Sequence, residues 1–74
     1  MEIYKRTKQI GNKRITILVK SMYGYRLEIV KEIADINVTT KISPIYGNED
    51  LALAKADLIF KKAIQDCKNE QYGY

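Results

Sequence analysis

Between Ile15 and Ile42 apolar side chains recur at every second position, and between Leu51 and Cys67 they recur at three- and four-residue steps. The first period belongs to a strand with one buried face, the second to an amphipathic helix. The pattern predicts an α+β domain of order ββββα, a small antiparallel sheet of three to four strands with one C-terminal helix packed on one face. Ile15, Ile17 and Val19 share one face of a strand, and Arg14, Thr16, Leu18 and Lys20 share the other. In the next strand Tyr25, Leu27, Ile29 and Ile33 oppose Arg26, Glu28, Val30 and Glu32.

Loop chemistry sets the expected registers. A three-residue loop of Met22, Tyr23 and Gly24, with Gly24 left-handed, pairs Ser21 with Tyr25, Val19 with Leu27 and Ile17 with Ile29. A tight turn at Ala34-Asp35 then pairs Ile33 with Ile36, Ile29 with Thr40 and Leu27 with Ile42, which carries Ile36, Val38 and Ile42 onto the same apolar face; Ala-Asp is a poor two-residue turn, and a longer loop is the alternative there. The first strand, about Ile3 to Ile10, admits two registers. A two-residue Gly11-Asn12 turn puts Tyr4, Arg6, Lys8 and Ile10 on the core face, whereas a three-residue loop puts Ile3, Lys5, Thr7 and Gln9 there. In the second case Arg6, Lys8, Arg14 and Lys20 gather into one basic patch on the outer face. The expected core is Ile15, Ile17, Val19, Leu27, Ile29, Val38, Ile42, Ile59, Phe60 and Ala63.

Pro44-Ile45-Tyr46-Gly47 ends the last strand, and Asn48 is a good N-cap, with Glu49 and Asp50 in the first turn where the helix dipole favours negative charge. Ala52, Ala56, Ile59, Phe60, Ala63, Ile64 and Cys67 form the apolar stripe, and Asp57 to Lys61 is a favourable i,i+4 pair. Lys61, Lys62 and Lys68 suit a C-terminal end. The domain is expected to occupy 1–68, followed by a flexible tail over 69–74.

Charge adds an asymmetry that the net +4 conceals. Residues 1–31 carry eight cations against two anions, a net of +6, and residues 32–74 carry five against seven, a net of −2. A one-sided field attracts an anionic partner. Lysine-rich, isoleucine-rich composition also arises on any solvated surface, so the asymmetry alone does not name a partner.

The chemistry of catalysis is sparse. The chain has no histidine, which removes the commonest acid/base group and metal ligand. Ser21 and Ser43 have no base to activate them. Cys67, the single cysteine, sits among helical apolar neighbours and reads as a packing residue rather than a thiolate. No disulfide can form within the chain, and no segment approaches the ~20 apolar residues of a membrane span, so a cytoplasmic location is expected. Seventy-four residues leave little room for an enclosed substrate cavity beside the core. No enzyme activity, metal or cofactor is expected.

A non-catalytic binding module is the expected function, with its basic hairpin and open sheet face docked on nucleic acid or a nucleic-acid-handling protein. Lys5, Arg6, Lys8, Lys13, Arg14, Lys20 and Arg26 are the expected contacts to the anion, with Tyr23 stacking or wedging at a hairpin tip. Leu18 and Val30, close together on the outer sheet face, are the expected protein contacts. The alternative is a docking inhibitor or regulator from a phage or mobile element that acts by protein contact alone, on an acidic surface for example. A monomer is expected in isolation, with a homodimer as the alternative.

Overall fold

The computed structural model describes residues 1–34 and 37–72. Four strands, β1 (Glu2–Ile10), β2 (Lys13–Ser21), β3 (Tyr25–Ile33) and β4 (Asn37–Ile42), precede one helix, α1 (Glu49–Tyr72). The strands form one antiparallel sheet in sequence order. This is the α+β arrangement that the two apolar periods predict.

The turns decide which residues face α1. Gly11 takes φ 59° in a two-residue loop that pairs Ile10 with Lys13, a left-handed position that glycine occupies without a Cβ clash. Tyr4, Arg6, Lys8 and Ile10 therefore line the helix side, and Lys5, Thr7 and Gln9 the outer side. Of the two registers open to β1, the two-residue turn holds, and the outer basic patch of the other register does not form. The second hairpin follows expectation: Ser21 pairs with Tyr25, Val19 with Leu27 and Ile17 with Ile29. Gly24, at φ 121°, is required there, because an added Cβ would run into Ile45 Cγ2.

The third turn differs from expectation by one residue, with large consequences. Ala34 adopts φ 54°, and Ile33 pairs with Asn37 rather than with Ile36. Ile36 itself lies outside the described residues. The longer loop shifts β4 by one position, so Thr39 and Lys41 face the helix side while Val38 and Ile42 turn outward, 61% and 58% exposed. Neither is core. The physical reason is that α1 packs on β2, β3 and β1 and makes no close backbone approach to β4 among the described residues. An apolar face on β4 would gain little burial on the helix side.

The buried core is Ile15, Ile17 and Val19 of β2, Leu27 of β3, and Ala52, Ala56, Phe60 and Cys67 of α1. Ile29, Ile59 and Ala63 pack against it while half-buried. Two fully buried alanines, one turn apart, bring the helix backbone close to the sheet. Asn48 caps α1 as expected, its Oδ1 accepting the Leu51 N–H at 3.0 Å. The helix then continues through Tyr72, four residues past the expected end at Lys68, and its last turn holds no basic residue. Nothing between Asn69 and Tyr72 breaks a helix, and Gln65 donates to Asn69 Oδ1 at 3.0 Å across that boundary. Gly73 and Tyr74, the rest of the expected tail, lie outside the described residues.

Beyond β4 the chain returns to β3 through a bulge. The Ser43 N–H donates to the Leu27 carbonyl at 2.9 Å, and Ser43 Oγ accepts the Leu27 N–H at 3.0 Å, so a hydroxyl takes the place of a ladder carbonyl. Tyr46 then exchanges two backbone bonds with Tyr25, at 2.7 and 2.8 Å.

These registers separate substitutions that the sequence pattern alone would class together. Leu27→Asp buries an unpaired charge and is expected to abolish cooperative unfolding, whereas Val38→Asp is expected to cost about 0.5 kcal/mol or less. Thermal denaturation followed by circular dichroism decides it, and comparable loss of stability in both variants would place β4 in the other register.

Candidate functional site

Cross-strand pairing arranges the outer face in rows. Arg14 lies opposite Glu32, which lies opposite Val38; Thr16 is followed by Val30 and Thr40; Leu18 by Glu28 and Ile42; Lys20 by Arg26. Because neighbours on a sheet face also meet diagonally, Leu18, Val30, Val38 and Ile42 form one oblique apolar strip. Leu18 and Val30 are half-buried by their neighbours, and Val38 and Ile42 extend the strip to the free edge of β4. Thr16 Oγ1 and Thr7 Oγ1 stand 3.2 Å apart beside it, sharing one hydrogen bond.

Two of the four cations on this face are matched. Arg14 Nη2 donates to Glu32 Oε2 at 2.7 Å, and Lys20 Nζ reaches Glu28 Oε2 at 3.0 Å. The Arg14 hydrogen bond holds the Glu32 carboxyl below its ordinary value, against a smaller opposing effect of desolvation, with the guanidinium charge adding to the lowering. Lys5 and Arg26 remain on the outer face, exposed and with no ion-pair partner among the described residues.

The other expected anion contacts are on the opposite side. Arg6, Lys8 and Lys13 share the helix face of the sheet with Ile15 and Ile17. Arg6 is part of the scaffold: its guanidinium carbon sits 5.0 Å from the centroid of the Phe60 ring, and Nη1 lies 3.4 Å from Asp57 Oδ1. It ties β1 to α1 by cation–π and charge contacts. Asp57 also takes Lys61 Nζ at 2.9 Å, the i,i+4 pair expected from sequence. The expected set of seven cations is thus divided between two faces, with Lys5, Arg14, Lys20 and Arg26 on one and Arg6, Lys8 and Lys13 on the other.

Tyr23 stands at the tip of the β2–β3 hairpin, 96% exposed, in a left-handed conformation at φ 56°. The exposed side chains of Met1, Met22 and Ile45 lie at the same end of the molecule, beside Lys20 and Arg26. The alternation places Leu18 and Val30 on the outer face, as found, but puts Val38 and Ile42 in the core. Their outward direction depends on the conformation of Ala34, which no periodicity reports.

Cys67 is fully buried among the core side chains, which agrees with a packing role. Among the described residues, no three metal-ligating side chains converge, and no helix is long and apolar enough to cross a membrane. No protein-family model matches the chain, and neither a characterised protein nor a solved structure does.

The Arg14–Glu32 contact is open to direct measurement. Arg14→Gln is expected to raise the Glu32 carboxyl toward the ordinary carboxylate value, read by carbon-detected NMR titration. Because the folded value is the depressed one, the contribution of the pair is present above the unfolded carboxyl value and lost as pH falls through the folded one. An unchanged Glu32 titration in the variant would show that the guanidinium does not control it.

Proposed function

We propose that the chain is a non-catalytic binding module that docks its outer sheet face on another protein. The observation that carries this reading is the uncovered strip of Leu18, Val30, Val38 and Ile42, flanked by cations already paired with Glu28 and Glu32. An apolar centre with a charged rim is the composition of a protein interface. A face meant to track phosphates keeps its cations unpaired and contiguous. Arg14 and Lys20 would have to exchange a carboxylate for each phosphate, and Arg6, Lys8 and Lys13 point to the other side of the sheet. The partner face implied is apolar at its centre with charges of both signs around it, as on a protein of the nucleic-acid-handling kind or any other.

A second reading, contact with nucleic acid at the hairpin tip, is favoured by one feature. Tyr23 is almost wholly exposed next to Arg26, an aromatic ring beside an unpaired cation.

One pair of experiments separates the two. Fluorescence anisotropy with duplex and single-stranded oligonucleotides over a salt series is expected to give only weak, non-specific binding that vanishes near physiological salt. Cross-linking in extract from the native source, followed by mass spectrometry, is expected to recover one protein cross-linked around the outer face. Leu18→Lys with Val30→Lys should remove that cross-link and leave the fold intact. Salt-resistant oligonucleotide binding that Tyr23→Ala abolishes would replace the protein reading with the nucleic-acid one.

A further inference from the structure

On the side opposite the proposed docking face, α1 leaves a trough between itself and β4. The trough encloses about 460 Å³, and its floor is apolar, formed by Ile15, Ile29, Ile59 and Ala63. Its walls carry Lys41 from β4 and Lys62 from α1, both exposed, with Lys31 as a third amine. Asp66 is the one acid among the described residues that line it, 3.9 Å from Lys62 Nζ. Lys41 has no ion-pair partner among the described residues. A second, smaller hollow over Leu27, Ile29, Lys41 and Ser43 shares three lining residues with the first, so the apolar floor continues along the helix toward the Ser43 bulge.

The dimensions suggest the kind of occupant. Strands lie ~4.8 Å apart and a helix with side chains is ~10 Å across, so one helix covers about two strands of a four-stranded sheet. The uncovered remainder, over β3 and β4, has the width of one more helix packed at 8–10 Å from α1. The trough is only partly enclosed, which suits a segment of a macromolecule better than a fully engulfed small molecule. Charge then selects among helices. A second copy of this chain would present its exposed Leu51 and Leu58 with Lys55 and Lys62 beside them, opposing lysine to lysine.

We infer that the trough between α1 and β4 receives an acidic amphipathic helix of a partner protein, with apolar side chains on Ile29 and Ile59 and carboxylates on Lys41 and Lys62. This site is independent of the outer face, and its failure would leave the reading of that face untouched. With both in use, the module bridges two protein surfaces from opposite sides of one sheet.

The test uses the whole chain, isotope-labelled, and a stapled helical peptide of about four turns with leucine on one face and glutamate on the other, beside its lysine counterpart. The glutamate peptide is expected to shift the amide signals of Ile29, Thr39, Lys41, Ile59 and Ala63. Lys41→Glu with Lys62→Glu should weaken it at least about tenfold, and Lys41→Gln with Lys62→Gln by less, while Leu18→Lys with Val30→Lys leaves it unchanged. Both lysine variants are first shown to be folded by their amide spectra, and the milder one serves if the charge reversal disturbs the sheet. Any of three results overturns the inference: equal binding of the lysine peptide, no shifts at about millimolar peptide, or concentration-dependent shifts of the same residues without peptide, which would make a second copy the occupant.

Discussion

One helix is too narrow for this sheet. A cylinder ~10 Å wide laid on strands ~4.8 Å apart must choose which of them to cover. Here the choice falls on β2, with β1 and β3 on either side. The choice follows from the sequence of β2, where Ile15, Ile17 and Val19 present three branched side chains on one face, all of them fully buried. Ala52 and Ala56 let the helix backbone settle on them, and Phe60 and Cys67 extend the contact toward its C-terminal half. With the apolar surface of α1 used there, β4 has no part of α1 close above it among the described residues and turns its apolar residues to the outer face.

The same limit explains how the charges are used. On the helix side, a cation next to the core needs a partner from α1, and Arg6 finds Phe60 and Asp57. On the outer side the described residues form no second layer, so Arg14 and Lys20 pair within the sheet with the glutamates of β3. Exposed pairs of this kind contribute little stability, typically well under 1 kcal/mol. Their larger effect is on recognition, since they neutralise two of the four outer-face cations and leave Lys5 and Arg26 as the local excess of positive charge.

Much of the fold was legible because local chemistry and periodicity agreed. The Met22-Tyr23-Gly24 loop and the alternation on either side independently bring Val19 to Leu27, and Asn48 with Glu49 and Asp50 marks the helix start. Legibility failed where one backbone angle outweighs a whole pattern. Ala34 at positive φ lengthens the third turn by one residue, and a period of two then inverts every residue of β4. Ala-Asp is a poor two-residue turn, which leaves a longer loop open, but alanine rarely adopts positive φ and the sequence does not choose between the two lengths. For β1 the alternation is polar on both faces, and only the turn at Gly11 resolves it. The expected basic patch was lost through that same ambiguity, since the register that would have assembled it is the one β1 does not adopt.

The meander order of the strands also bears on how the chain reaches this state. Every strand pairs with its neighbour in sequence, through loops of two or three residues, and no connection crosses the sheet. Closing such short loops costs little chain entropy, and contacts of low sequence separation form early. The longest closure left is that of α1 onto β1, where Arg6 meets Asp57 across fifty-one positions. Sheet assembly can therefore proceed hairpin by hairpin, and the arrival of the helix is the single long-range event that makes the fold cooperative.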